Sequence, residues 1–171
     1  MQRRSVIVSA KRTPIGAFQG HLSSLSASDL ASACIKEILN HTSIHAESIN
    51  EVILGNVLSA GQGQAPARQA TLKSGCPDSV ESLTINKMCG SGLKAVMLAD
   101  QAIRCGDAHM VVAGGMESMS NAPYLLNNAR MGQKLGHGQV IDSMIHDGLW
   151  DVYNDKHMGN CAETLAKDRG Y

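Results

Sequence analysis

The residue of this 171-residue chain best suited to covalent chemistry is Cys89, which is followed by Gly90 and, after Ser91, by Gly92. Before it, Leu83 and Ile85 alternate with polar residues at the two-residue period of a β-strand. Apolar residues recur near helical spacing after it, at Leu93, Val96, Met97 and Ile103. The pattern predicts a strand, a tight glycine turn and a helix, with Cys89 at or just before the first helical turn.

This position favours a reactive thiolate. The first N–H groups of a helix lack backbone acceptors, and together with the helix dipole they stabilise negative charge. Because the thiolate is the nucleophilic form of cysteine, Cys89 is a candidate for covalent catalysis. Free cysteine is also among the most buried residue types, so a simple packing role is the alternative.

The residues that follow the predicted helix favour the catalytic interpretation. Gly106 is a plausible helix cap, and His109–Ala113 is typical of a buried parallel strand, so the segment predicts a βαβ unit. Cys89 would then lie at the carboxyl end of a strand, where open α/β sheets bind their ligands.

Two linked motifs resemble one family. Residues 86–95, Asn-Lys-Met-Cys-Gly-Ser-Gly-Leu-Lys-Ala, and residues 113–120, Ala-Gly-Gly-Met-Glu-Ser-Met-Ser, resemble the nucleophile region of the thiolases, most closely the acetyl-CoA acetyltransferases. The resemblance extends along the chain, through residues 10–16, 61–70, 147–151 and 157–159.

The resemblance implies an α/β, thiolase-like layered fold of which this chain supplies the N-terminal half. It implies that residues 1–118 form the half-domain carrying the nucleophile, and that residues 119–171 begin an inserted loop domain used for tetramer formation and coenzyme A binding. A complete thiolase is expected to supply, beyond this chain, the rest of that loop domain, two C-terminal histidine motifs and a second cysteine.

The resemblance also implies a reaction and its residues. Cys89 would be the acyl-thioester nucleophile, with its backbone N–H in an oxyanion hole, and Leu149, His157 and Met158 would line the coenzyme A and acyl pocket. Two acetyl-CoA molecules would condense to acetoacetyl-CoA and coenzyme A, or the reverse, in a homodimer or homotetramer. No cofactor or metal is expected, since the coenzyme A thioester is the substrate, and the chain alone is expected to be inactive.

Three alternatives stay open at this point. The first is a thiolase acting on longer 3-ketoacyl-CoA chains. The second is a ketosynthase-like enzyme, which also places a cysteine at a strand-to-helix turn but within a different surrounding sequence. The third is a truncated, non-catalytic thiolase half that serves as an assembly or binding module.

Composition narrows the class of protein. Hydrophobic residues make up 43% of the chain, and 15 Lys and Arg balance 15 Asp and Glu, so charge gives no reason to expect nucleic acid or membrane partners. No apolar run suits a signal peptide or a membrane span, so a cytoplasmic location is expected. The five cysteines contain no C-x-x-C pair and are expected to be reduced thiols.

The remaining elements are predicted from local pattern. We expect a buried strand at Val6–Val8, a helix capped by Ser26 or Ser28, a strand at Glu51–Leu54 and a helix at Pro66–Lys73. Residues 114–138 predict an irregular segment. Val140, Ile141, Met144 and Ile145 predict a short amphipathic helix, and Met158, Cys161, Ala162 and Leu165 predict another.

Two pairs have the four-residue spacing of metal ligands, His41 with His45 and His157 with Cys161. The first lies in a polar stretch typical of a solvated loop, and the second has no further ligand pair, so neither predicts a metal site. Arg68 is expected to face either solvent or a partner subunit.

Overall fold

The structure, a computed structural model, describes residues 4–171. It divides into two compact units, one ending at Asn121 and one comprising Ala122–Tyr171. The helices are α1 (Ala27–Thr42), α2 (Pro66–Lys73), α3 (Ser91–Cys105), α4 (Ser143–Gly148) and α5 (Met158–Arg169). The strands are β1 (Glu51–Gly55), β2 (Glu81–Ile85), β3 (Val111–Gly115), β4 (Tyr124–Leu126), β5 (Val140–Asp142), β6 (Trp150–Asp151) and β7 (Lys156–His157). Single 3₁₀ turns lie at Ala46–Ser48, Met119–Asn121 and Ala129–Met131.

The first unit is built on a parallel sheet with the strand order β2-β1-β3. Gly55 at the end of β1 is in register with Ile85 on β2 and with Gly115 on β3, so all three strands end at one edge. The chain goes from β1 to β2 through α2, and from β2 back across β1 to β3 through α3. The predicted α/β class and the central βαβ unit are confirmed.

The helices lie in layers on the two faces of this sheet. Because parallel crossovers are right-handed and the two run in opposite directions along the sheet, α2 and α3 cover opposite faces. Val52 and Leu54 belong to a core shared with α1 and α2, whereas Ile53 between them, 2% exposed, points to the other face. The sheet is therefore buried on both sides at β1.

Helix α1 begins where the sequence indicates. Ser26 is the N-cap: its Oγ accepts a hydrogen bond from Asp29 N, and Asp29 Oδ2 accepts one from Ser26 N. This reciprocal pair satisfies two backbone donors at the helix start. Lys73 Nζ, at the end of α2, donates to Asp29 Oδ1 over 2.6 Å and to Ser28 Oγ over 2.9 Å, which joins the two helices.

The strand predicted at Val6–Val8 is wrong. Residues 4–17 form no regular element, and Val6, Ile7 and Val8 are 77%, 83% and 67% exposed. The segment and residues 109–113 line the same apolar cavity of about 600 Å³, and the segment is not part of the sheet that contains β3. An apolar triplet becomes a buried strand only when a neighbouring strand and a covering layer are present.

The second unit contains two antiparallel strand pairs, β4 with β5 and β6 with β7. The helix predicted to include Val140 and Ile141 is wrong at those residues, because they pair with β4 and α4 begins only at Ser143. Asp142 caps α4 through its carboxylate, which accepts a hydrogen bond from Met144 N. The helix predicted around Met158 is confirmed as α5.

Candidate active site

The turn between β2 and α3 presents Cys89 at the start of the helix. Gly90 is the N-cap and Ser91 is the first helical residue, so Cys89 immediately precedes the cap, and its side chain is exposed. Met88 has φ of 50°, in the left-handed region that residues with a Cβ rarely adopt. A residue held in that region beside a candidate nucleophile is a common feature of functional turns.

Hydrogen bonds from both sides hold this turn in place. Asn86 Oδ1 accepts from Met88 N over 2.9 Å, and Ser91 Oγ accepts from Lys87 N over 2.8 Å while donating to Met88 O. Gly90 N also donates to Lys87 O. The conformation at Met88 is thus fixed by side chains on each side of Cys89, including one from the helix that the turn begins.

Glycines let the start of α3 approach the strand ends closely. A Cβ atom added to Gly55 would lie 2.5 Å from Ser91 Cβ and 2.8 Å from Gly92 N, distances that real side chains do not show. A Cβ atom on Gly115 would lie 3.4 Å from Gly92 Cα. The ends of β1 and β3 therefore form a flat surface on which the first turn of α3 rests.

The residues of α3 that face the sheet are small for the same reason. Its buried residues are Ser91, Ala95 and Ala99. The larger apolar side chains that indicated the helix lie partly or largely outside this contact, and Leu93 is 70% exposed. Small residues permit the close approach that brings Cys89 to the edge where all three strands end.

A polar cluster at this edge was not predicted from the sequence. Glu117 Oε1 accepts from Asn56 Nδ2 over 2.7 Å and from Leu58 N over 3.0 Å, and Oε2 accepts from Val57 N over 2.9 Å. Asn56 is 2% exposed. The signals that could have identified the cluster are the amide of Asn56 and the carboxylate of Glu117, each placed just after a predicted strand.

The three residues predicted to line a coenzyme A pocket lie together in the second unit. The β6–β7 hairpin pairs Trp150 with His157, and Met158 N donates to Leu149 O over 2.8 Å. Leu149 and Met158 are thereby adjacent, with His157 at the end of the hairpin. Cys89 lies in the first unit.

His157 has an additional structural role as the N-cap of α5. Its Nδ1 accepts a hydrogen bond from Gly159 N over 2.9 Å. An acceptor nitrogen carries no proton, so the neutral ring holds its proton on Nε2. Cys161, four residues further on, contacts Asp151 Oδ2 at 3.8 Å. Within residues 4–171, no three His, Cys, Asp or Glu side chains are grouped as metal ligands.

The sequence predicted that Arg68 faces either solvent or a partner subunit. In the structure its side chain does not simply face solvent. Its guanidinium donates to Val80 O and, over 2.9 Å, to Asp78 O. It therefore ties α2 to the segment that enters β2, the strand leading to Cys89.

The carboxylates with displaced pKa values lie outside the Cys89 turn. Hydrogen bonding to Lys73, then to Ser26, lowers the pKa of Asp29 from 3.8 to about 2. Burial, with the neighbouring Glu81, raises the pKa of Glu51. The side-chain amide of Asn154, followed by Tyr153 N, lowers the pKa of Asp151.

Comparisons with known proteins agree with the motifs. Residues 5–171 match the family model described as thiolase, N-terminal domain. An acetyl-CoA acetyltransferase of Pseudomonas aeruginosa is 55% identical over 165 residues, which cover 96% of this chain and 42% of that protein. One of Allochromatium vinosum is 55% identical over 171 residues, covering 100% of this chain and 43% of that protein.

A further relative has a broader name. A probable acetyl-CoA acyltransferase of Staphylococcus aureus is 51% identical over 167 residues, covering 98% of this chain and 42% of that protein. The chain thus spans about two fifths of the length of the curated relatives that it matches. None of the helices in the described part of the chain is long and apolar enough to cross a membrane.

Proposed function

The chain belongs to the thiolase family and matches the N-terminal domain of that family. We therefore propose that it carries the nucleophile of an acetyl-CoA acetyltransferase. The observation that supports this best is Cys89, an exposed thiol held by a strained, hydrogen-bonded turn at the start of a helix. The proposed reaction condenses two acetyl-CoA molecules to acetoacetyl-CoA and coenzyme A, and also runs in reverse.

The first half of the reaction acylates Cys89. Its thiolate attacks the carbonyl carbon of acetyl-CoA, a new Sγ–C bond forms, the thioester S–C bond breaks, and coenzyme A leaves and takes up a proton. The first turn of α3 stabilises the thiolate through its N–H groups and dipole. Rapid thiolate formation from Cys89 needs a base, which we assign to the part of a complete thiolase that this chain does not contain; without it we expect acetylation to be slow.

The second half forms the carbon–carbon bond. A base removes a proton from the α-carbon of a second acetyl-CoA, this carbon attacks the acetyl group on Cys89, and the Cys89 thiolate leaves. The oxyanion formed in between needs hydrogen-bond donors, and we assign the backbone N–H of Cys89 as one of them. One such donor contributes about 3–4 kcal/mol in other enzymes. The second donor and the α-carbon base would come from the C-terminal half.

We assign the pantetheine and acyl parts of coenzyme A to the surface formed by Leu149, His157 and Met158. The hairpin and the backbone bond that bring these residues together support this assignment. Leu149 and Met158 provide apolar contact. The Nε2–H of His157 is a donor for an amide or thioester carbonyl, since its Nδ1 is engaged by Gly159 N.

We further propose that the complete protein is a homo-oligomer, a dimer or a tetramer. The segment between β4 and β5 supports this, because Met131 and Leu135 in it are 81% and 99% exposed. Isolated apolar side chains are common on surfaces, but two large ones within one loop favour a protein contact.

The test is a complementation assay. The chain is mixed with a separately produced C-terminal part of the Allochromatium vinosum relative, and acetoacetyl-CoA formation from acetyl-CoA is followed. We expect no significant turnover by the chain alone, turnover on mixing, and none on mixing with Cys89→Ala. Cys105→Ala is the matched control and should retain turnover. Turnover by the mixed Cys89→Ala variant would contradict the proposal, and faster thiolysis of a longer 3-ketoacyl-CoA than of acetoacetyl-CoA would contradict the acetyl specificity.

A further inference from the structure

Within residues 4–171, the carboxylate of Glu117 accepts hydrogen bonds from two backbone N–H groups and one side-chain amide, and it forms no ion pair. Both of its oxygens are used, accepting from Asn56 Nδ2, Val57 N and Leu58 N at 2.7 to 3.0 Å. Val57 and Leu58 begin the loop that leads away from β1. One side chain at the end of β3 therefore fixes the path of the chain as it leaves β1.

Asn56 connects these contacts of Glu117 to the remaining strand of the sheet, β2. Its backbone N–H donates to Ile85 O, at the end of β2, over 2.9 Å, and its side-chain Nδ2 also donates to Met116 O over 3.3 Å. Its Oδ1 accepts from Gln62 Nε2 over 3.2 Å. The Glu117 and Asn56 pair thus connects the carboxyl ends of β1, β2 and β3 at a buried position.

Two contacts lead from this pair to the Cys89 turn. Gly55, immediately before Asn56, is the residue whose backbone packs on Ser91 and Gly92. Val57 O accepts from Asn86 Nδ2 over 3.5 Å, and Asn86 Oδ1 in turn accepts from Met88 N over 2.9 Å. Any movement of the segment from Gly55 to Leu58 would therefore shift both the surface under α3 and the side chain that holds Met88.

We propose that Glu117 is a positioning residue for the nucleophile: it fixes the segment from Gly55 to Leu58, which in turn holds the Met88–Ser91 turn and the exposed thiol of Cys89. This inference rests on the proposed function, in which Cys89 is the nucleophile. The contacts that connect Glu117 to the Met88–Ser91 turn do not depend on the reaction. An isosteric Gln at position 117 weakens this set of contacts: its single amide oxygen can replace Oε1, but its NH2 group then faces the backbone N–H of Val57, which needs an acceptor.

The experiment compares this chain with its Glu117→Gln variant and with Asp29→Asn as the matched control. Asp29 is also a carboxylate that accepts backbone and side-chain hydrogen bonds, but its partners are Ser26 and Lys73. Global stability is measured by denaturant unfolding. Amide hydrogen exchange is measured at Met88–Ser91, and alkylation by iodoacetamide near neutral pH is measured at Cys89 relative to Cys105.

For Glu117→Gln we expect exchange at Met88–Ser91 to be about tenfold faster than the change in global stability explains. We expect alkylation of Cys89, relative to Cys105, to be about fivefold slower near neutral pH, because the thiol is held less firmly in its exposed position. Asp29→Asn should lower stability without either local change. Equal exchange and alkylation at the turn in Glu117→Gln and Asp29→Asn would overturn the proposal.

The role of Cys89 as nucleophile and the role of Glu117 in positioning it can be refuted separately. If Cys89 of the unaltered chain reacts no faster than Cys105, the proposed nucleophile is wrong, whereas the exchange of Met88–Ser91 in Glu117→Gln still tests the linkage. If Cys89 is the faster thiol and Glu117→Gln changes neither its rate nor the exchange of the turn, the nucleophile stands and the role of Glu117 is wrong.

Discussion

Cys89 and Cys105 lie at opposite ends of the same helix, α3, and both are exposed. Cys89 lies one residue before the N-cap, beside the partly positive end of the helix, and Cys105 is the last helical residue, at the partly negative end. These two exposed thiols therefore lie in opposite electrostatic surroundings.

This arrangement predicts that Cys89 is alkylated faster than Cys105 near neutral pH, by about tenfold at low salt, because the helix start favours the thiolate and the helix end disfavours it. Brief treatment with iodoacetamide followed by peptide mapping gives both rates in one sample. Added salt should narrow the difference, since it screens the helix dipole. Faster labelling of Cys105 in the folded chain would show that the turn does not activate Cys89.

Gly55→Ala should be strongly destabilising, because its Cβ would overlap Ser91 Cβ at 2.5 Å and Ser91 C at 2.7 Å. We expect a loss of about 2–3 kcal/mol in the free energy of unfolding, together with slower alkylation of Cys89. Gly114→Ala, on the neighbouring strand, is the control: its Cβ would first meet Leu54 Cδ2, at 3.9 Å. Similar losses for the two variants in chemical denaturation would refute the close contact between β1 and α3.

The pair formed by Asp29 and Lys73 should make stability depend on pH. The pKa of Asp29 is lowered from 3.8 in its ordinary state to about 2 in the folded chain, first by Lys73 and then by Ser26. A depressed folded pKa means that the stabilisation is fully present above about pH 4 and is lost as the pH falls from there through about 2. Because the two side chains are 40% and 42% exposed, water screens the pair, and the expected loss is about 1 kcal/mol.

Lys73→Met isolates that contribution. In this variant the fall in unfolding free energy between about pH 4 and pH 2 should be shallower than in the unaltered chain, because the folded and unfolded pKa values of Asp29 become more similar. Urea unfolding at several pH values measures it. An unchanged slope in Lys73→Met would rule out the ion pair as the cause.

Arg68→Met should destabilise the chain by about 1–2 kcal/mol, because it removes two hydrogen bonds and leaves the buried carbonyl of Val80 without its donor. Arg104→Met is the matched control, since Arg104 forms an exposed pair with Asp100 one helical turn away. The expected cost there is about 0.3–0.5 kcal/mol. Thermal or chemical unfolding of the two variants side by side measures both losses of unfolding free energy. Equal losses would mean that Arg68 is a solvated arginine without a structural role.

The elements that the sequence predicted correctly are those specified by local signals. Ser26 with Asp29 marks the start of α1, Pro66 opens α2, and the alternation before Cys89 marks β2. Each signal acts within a few residues, through a cap, a fixed φ or a two-residue period. The family motifs around Cys89 rest on the same kind of local information.

The wrong or missing predictions share a different cause: the conformation of these residues depends on partners that are distant in the sequence. Val6–Val8 has the composition of a strand, but no neighbouring strand pairs with it within residues 4–171. Val140 and Ile141 fit a helical period, but their pairing with β4 decides their conformation. The contacts of Glu117 with residues about sixty positions earlier are likewise invisible to any local pattern.

Whether Cys89 accepts an acetyl group is measured by incubating the chain with acetyl-CoA. Intact mass spectrometry and peptide mapping then show whether an adduct forms, and on which residue, with Cys89→Ala and Cys105→Ala analysed in parallel. We expect one slowly formed acetyl group on Cys89, released by neutral hydroxylamine as a thioester should be, absent from Cys89→Ala and retained in Cys105→Ala. Acetylation only at lysines or at Cys105, or no adduct at all on the folded chain, would contradict it.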